Sequence, residues 1–270
     1  EETLKDGKPN ISYLNKAKEA IDLALQNEET KKLSRTHAYK MRISYATFQY
    51  NLNEEMKKNE STVGDKNQRA MLAYGTISLS DFENAASELN AVKDLDAKYL
   101  QTIQDGIASG ASNLEDDDLK FAKAALDMKV ECGNIATGKY NSKKYYEAAD
   151  YFFKTAVMNS VLMRIKDTAT FMNACISAAR SGNSEKIIDY NQKMLDMNIA
   201  KAGNYSSLAS AFLSKKDTTN ALLFLNKGSE SFKNDMGLLF EQINLYKSLH
   251  KSEEALSKLK IAIEKEPNNA

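Results

Sequence analysis

Proline and glycine are scarce: the 270-residue chain has two prolines and eleven glycines. Helices tolerate both poorly, whereas β-sandwiches and α/β folds need them at turns, so the shortage points to an all-helical protein. Net charge is missing as well, with 37 basic residues balanced by 37 acidic ones. That balance gives no global attraction to nucleic acid or to an anionic membrane surface. No apolar run approaches the roughly 18–20 residues that a membrane span requires. Two cysteines, Cys132 and Cys175, exclude a disulfide-dense scaffold and leave the redox compartment open. The chain begins at Glu1 rather than Met, which fits a removed export signal, hence an extracytoplasmic protein, as well as a chosen boundary.

What the chain does have is 42% hydrophobic residues, enough for a folded core, and a period. Ala221 and Ala255 lie 34 residues apart, and the same offset relates Tyr205 to Leu239, Phe212 to Tyr246, Leu225 to Leu259 and Gly228 to Ala262. One further step back places Phe171, Ala178, Ile187, Asn191 and Met194 at those places. Three contiguous blocks result, 168–201, 202–235 and 236–269. Each reads as an amphipathic helix, a short break (Ser181–Asn183, Lys215–Asp217, His250–Ser252) and a second amphipathic helix. A fixed period of this length is the signature of a helical solenoid, in which each repeat needs its neighbours to bury its faces.

These residues resemble the tetratricopeptide repeat. The 202–235 block carries the pattern best, through Tyr205, Leu208, Ala209, Phe212, Ala221, Leu225 and Gly228. The last block adds Leu239, Tyr246, Ala255, Leu259, Ala262 and the closing Pro267, and departs with Gln242 and Ile243. The 168–201 block matches through Phe171, Ala174, Cys175 and Ala178, and departs in its second helix. The small residues belong where two helices cross closest, and the large ones fill the gaps beside them. Upstream, Cys132, Ile135, Ala136, Ala148 and Phe152 suggest a further repeat over about 129–162, the end of a long helical stretch over 115–162. The resemblance implies an all-α, right-handed α–α superhelix.

The stretch "GNIATGKY", 133–140, imitates a phosphate-binding loop. Such a loop needs a buried strand before its glycines. Here "DLKFAKAALDMKVEC" precedes it with helical apolar spacing, and Tyr140 stands where a magnesium-binding hydroxyl is required. The glycines are expected inside a helix, read as close helix packing, and no nucleotide or other cofactor is expected.

The first part of the chain, 11–110, reads as divergent helix pairs of the same type. Helices are expected over 11–27, over about Thr36–Leu52, from a cap at Ser80 or Asp81 through "FENAASELNAVKDL", and over about 96–108. The loop candidate is 59–68. The acidic run Glu115–Asp118 lacks the alternating ligands of a calcium loop and reads as a solvated helix start.

Chemistry is thinly represented. His37 falls at an apolar-facing helix position and His250 in a turn, while both cysteines occupy core places of repeats, so neither a zinc site nor a catalytic residue is expected. The aromatic cluster at Tyr145, Tyr146 and 151–153 has no basic stripe and reads as core.

In the tetratricopeptide family, ligands bind the concave face lined by the first helices. The resemblance therefore implies a non-catalytic scaffold that holds a peptide segment or partner domain. It places Asn134 and Thr137, with Gly133 and Tyr140, in that groove, followed by Met172, Asn173, Ile176 and Arg180. Ser206, Ser207, Ser210 and Leu213 come next, then Phe240, Glu241, Asn244 and Lys247. The family's clamp for chaperone C-terminal tails uses Lys, Asn and Arg at places that hold Met172, Ile176, Ser207, Gly237 and Glu241 here, so chaperone-tail binding is disfavoured. The alternative is a structural module that self-associates through its solenoid ends.

Overall fold

A computed structural model describes residues 4–5, 8–110 and 112–266. Pro267, the expected repeat terminator, lies outside the described residues. Among the described residues the regular structure is helical apart from a two-residue antiparallel pair, β1 (Leu4–Lys5) with β2 (Lys8–Pro9). The chain divides into two compact units, Glu1–Asp167 and Thr168–Ala270, and within each unit neighbouring helices pack on one another.

The first unit contains α1 (Ile11–Gln26), a 3-10 turn at Thr30–Lys32, α2 (Ser34–Lys58), α3 (Lys66–Thr76), α4 (Ser80–Leu95), α5 (Ala97–Ala108), α6 (Asp116–Asn141) and α7 (Tyr145–Met163). Its core is aromatic. Phe48 of α2 meets Phe82 of α4 edge-on at 5.2 Å, and Phe82 meets Tyr151 of α7 at 6.1 Å. Both phenylalanines are fully buried, each contributing about 1.5–3 kcal/mol of burial.

Several expectations for this unit need correction. Helix α2 continues to Lys58, and α3 occupies part of the stretch expected to be a loop. Neither Ser80 nor Asp81 caps α4: Leu79 holds the cap position, and the Ser78 hydroxyl accepts from the Ser80 amide at 3.4 Å. The acidic run is more than a solvated helix start. Asp118 is buried and accepts from the Tyr99 hydroxyl at 3.0 Å, and Asp117 accepts from Tyr39 at 2.6 Å. His37 is not an apolar core residue either. Its ring bridges Glu88 at 2.5 Å and the Lys31 carbonyl at 2.9 Å.

Gly133 and Gly138 lie inside α6, preceded by helix rather than strand. They do not mark a close helix crossing. A Cβ on Gly138 would sit 3.4 Å from Met71 Cε, and one on Gly133 would sit 3.7 Å from Thr155 Cγ2, both ordinary contacts.

The second unit is a run of three helix pairs. Helices α8 (Thr168–Ser181), α10 (Ala202–Ser214) and α12 (Met236–Ser248) alternate with α9 (Ser184–Asp196), α11 (Thr218–Ser231) and α13 (Ser252–Lys265). Within each of these two sets the helix starts are 34 residues apart. Each pair turns through one left-handed residue, again at a spacing of 34: Gly182 (φ 70°), Lys216 (φ 59°) and His250 (φ 55°). Only the first of the three carries the residue type that occupies this conformation without a Cβ penalty.

Gly228 of α11 is where close approach is required. A Cβ there would meet Tyr205 Cβ of α10 at 2.8 Å. The second unit also buries amides. Asn204 Nδ2 of α10 donates to Asn191 Oδ1 of α9 at 2.8 Å, and Gln242 Nε2 of α12 donates to Asn226 Oδ1 of α11 at 2.6 Å.

Candidate functional site

In α10 the buried face carries Leu208, Ala209 and Ala211, which hold the helix against its neighbours. Helical spacing then forces Ser206, Ser210 and Leu213, at i, i+4 and i+7, onto the opposite side, with Ser207 beside them. In α12 the same geometry aligns Glu241, Asn244 and Ser248. These two stripes and Ala179 of α8 wall an open concavity of about 640 Å³. Ala209, Ile187, Leu225 and Leu245 supply its apolar floor, and each is buried.

The walls are polar, and their polar groups are uncommitted. Among the described residues, the side chains of Ser206, Ser207, Ser210, Asn244 and Glu241 make no hydrogen bond or ion pair within the chain. Only Ser248 spends its hydroxyl locally, donating to the Leu245 carbonyl at 2.8 Å. Among the described residues Glu241 is the one charged side chain in the lining.

Two other concavities differ in this respect. One of about 330 Å³ between α4 and α7 contains Glu83, which already accepts from Tyr151 at 2.6 Å and from Lys154. Another of about 350 Å³ lies between the end of α2 and the start of α3. There Arg69 pairs with Glu60 at 3.2 Å and Lys57 with Glu54 at 2.5 Å. Such internally neutralised walls have less left to offer a ligand.

Six residues of the groove expected from the sequence therefore meet in one place: Ser206, Ser207, Ser210, Leu213, Glu241 and Asn244. Met172, Asn173 and Ile176 lie on α8 and Phe240 on α12, none of them in these walls; Asn173, Ile176 and Phe240 are exposed. Asn134 and Thr137 are exposed on α6, in the other unit. Thr137 turns its hydroxyl onto the Gly133 carbonyl at 2.9 Å. Tyr140 packs edge-on against Tyr145 at 5.2 Å and Phe152 at 6.3 Å, inside an aromatic cluster. Sequence reasoning missed Ser248 and Ala179. Ser248 follows Asn244 by one helical turn, a spacing that could have found it.

The titratable groups explain themselves structurally. Burial pushes the thiols of Cys132 and Cys175 up to about 12, far from a reactive thiolate. Burial also raises Glu131 above its ordinary value, although Tyr74 donates to its carboxylate. Among the described residues no three His, Cys, Asp or Glu side chains converge as a metal site would need. No helix among them is long and apolar enough to cross a membrane.

No protein-family model matches the chain, and a comparison with curated proteins finds no match.

Proposed function

We propose that the chain is a non-catalytic interaction scaffold whose second unit holds an extended peptide segment in the α8–α10–α12 concavity. The observation that carries this reading is the set of five uncommitted polar side chains over an apolar floor. An extended peptide brings unpaired amides and carbonyls to such a surface, and serine and asparagine side chains can satisfy them. The three helix pairs in a 34-residue register support the tetratricopeptide resemblance, and a right-handed superhelix with a ligand-binding inner face is what that resemblance implies. Met172, Ile176, Ser207, Gly237 and Glu241 stand where the family's carboxylate clamp has Lys, Asn and Arg, so a chaperone tail is not the proposed ligand.

Display of randomised peptides tests the reading, selecting against the folded chain and against its Ser210→Arg variant. Sequences enriched by the wild type and lost with the variant support it. Equal enrichment on both moves recognition elsewhere.

A second reading, self-association through an end of the solenoid, has one observation behind it. Leu256, Leu259 and Ile263 form an exposed stripe on α13, 57%, 39% and 45% accessible. The equivalent of Leu259 one repeat earlier, Leu225, is buried beneath α12. Light scattering decides: a mass that falls to that of one chain on Leu259→Asp supports it, and a monomeric wild type removes it.

A further inference from the structure

We propose that the concavity of the second unit recognises a basic side chain, lysine or arginine, within the bound segment, with Glu241 as its anionic anchor. The inference rests on the peptide-binding reading above and adds the chemistry of one ligand position. Glu241 stands with Asn244 on the α12 wall of a concavity whose α10 wall bears hydroxyls, and among the described residues it is the only charge in the lining. Among the described residues its carboxylate makes no ion pair. Other carboxylates of the second unit are engaged within the chain. Asp189 pairs with Lys193 at 2.8 Å, and Asp217 and Asp235 cap α11 and α12.

The alternatives fit the lining less well. A divalent cation takes several carboxylate or carbonyl oxygens, and one glutamate does not supply them. An anionic segment would meet a carboxylate and no basic residue in the walls. A lysine or arginine would place its charge on Glu241 and its methylenes against Leu213 and the apolar floor, as long basic side chains do. The serine hydroxyls and Asn244 are then left for the segment's backbone. On a solvent-open wall the charged contact is worth roughly 1.5- to fivefold in affinity, and it weakens as salt is added.

The test uses the full chain and a randomised peptide library displayed internally between Gly-Ser flanks, so that no free α-amine competes with a side chain. Selection runs in parallel on wild type, Glu241→Lys and Ser210→Arg. Both substituted positions are exposed, and circular dichroism melts verify that each variant folds. The expected result is lysine or arginine enriched at one register on wild type, exchanged for aspartate or glutamate on Glu241→Lys. Enriched peptides that disappear on Ser210→Arg but show no basic preference, or no exchange on Glu241→Lys, overturn the cation inference and leave the groove reading standing. No enrichment by wild type over Ser210→Arg overturns both.

Discussion

Asn204 and Asn191 form a fully buried side-chain hydrogen bond between α10 and α9, and 34 residues later the same two places hold Leu238 and Leu225, which pack in one apolar cluster. The same helix interface is thus built once with amides and once with leucines. Each amide is anchored further: Asn191 Nδ2 donates to the Ile187 carbonyl at 2.7 Å, and Asn204 Oδ1 accepts from the Lys201 amide at 2.7 Å.

A double-mutant cycle follows from that pair. Asn191→Leu alone strands the Asn204 amide, and Asn204→Leu alone strands the Asn191 carbonyl oxygen, so each single change is expected to cost about 1–3 kcal/mol. The double variant copies the leucine pair of the next repeat but still takes the Asn204 oxygen from the Lys201 amide, so it is expected to lose less than the sum of the two single losses. Urea unfolding of the four proteins checks this. Additive losses in the double variant would show that the amides are not acting as a pair.

The glycines divide into two classes. Gly228→Ala forces a Cβ to within 2.8 Å of Tyr205 and should destabilise by about 1–3 kcal/mol. Gly138→Ala meets only Met71 and Tyr74 at ordinary contact distances inside α6, so it should stabilise by up to about 1 kcal/mol. Thermal melts of the two variants should move in opposite directions. A loss at Gly138 as large as that at Gly228 would mean that α6 and α3 approach more closely than described.

Much of the helical frame was legible because the 34-residue pattern repeats small and large residues in one register. The periodic signal failed where burial was slight. Helix α3 buries only Ala73 and Tyr74, and its polar sequence resembles the loop before it. Long-range polar partners left no local trace. The groups that engage Asp117 and Asp118 include Tyr39 and Arg42 of α2, distant in sequence, so the acidic run looked solvated. The groove was legible in part. The repeat resemblance put Ser206, Ser210 and Asn244 on one expected face, but which faces meet around one cavity depends on helix packing that a sequence pattern alone does not report.

Glu131 predicts a pH dependence. Its pKa is raised in the folded state by burial, so the native protein binds the proton more tightly than the unfolded chain. Stability therefore falls as pH rises from its ordinary value of 4.5 through its raised native one, and the loss persists above that range. Glu131→Gln removes this loss while still accepting from Tyr74. The variant should be the more stable protein at neutral pH, and its advantage should shrink towards pH 3. Urea midpoints across that range measure it; a constant difference would locate the proton linkage elsewhere.

The two thiols should be slow to react. Both are buried, Cys132 donating to the Tyr151 carbonyl at 3.4 Å and Cys175 lying 3.3 Å from Met194 Sδ. Native protein mixed with a chromogenic disulfide reagent at pH 8 should label at the rate of opening, and unfolded protein at once. Immediate stoichiometric labelling of the native chain would show that the cores around them are open.

The most direct test of the account is a calorimetric titration of the most enriched displayed peptide into wild type and Ser210→Arg. The account predicts one site per chain on wild type and an affinity at least about tenfold weaker when arginine fills the concavity. Equal dissociation constants for the two proteins would contradict it and place recognition away from the α10–α12 walls.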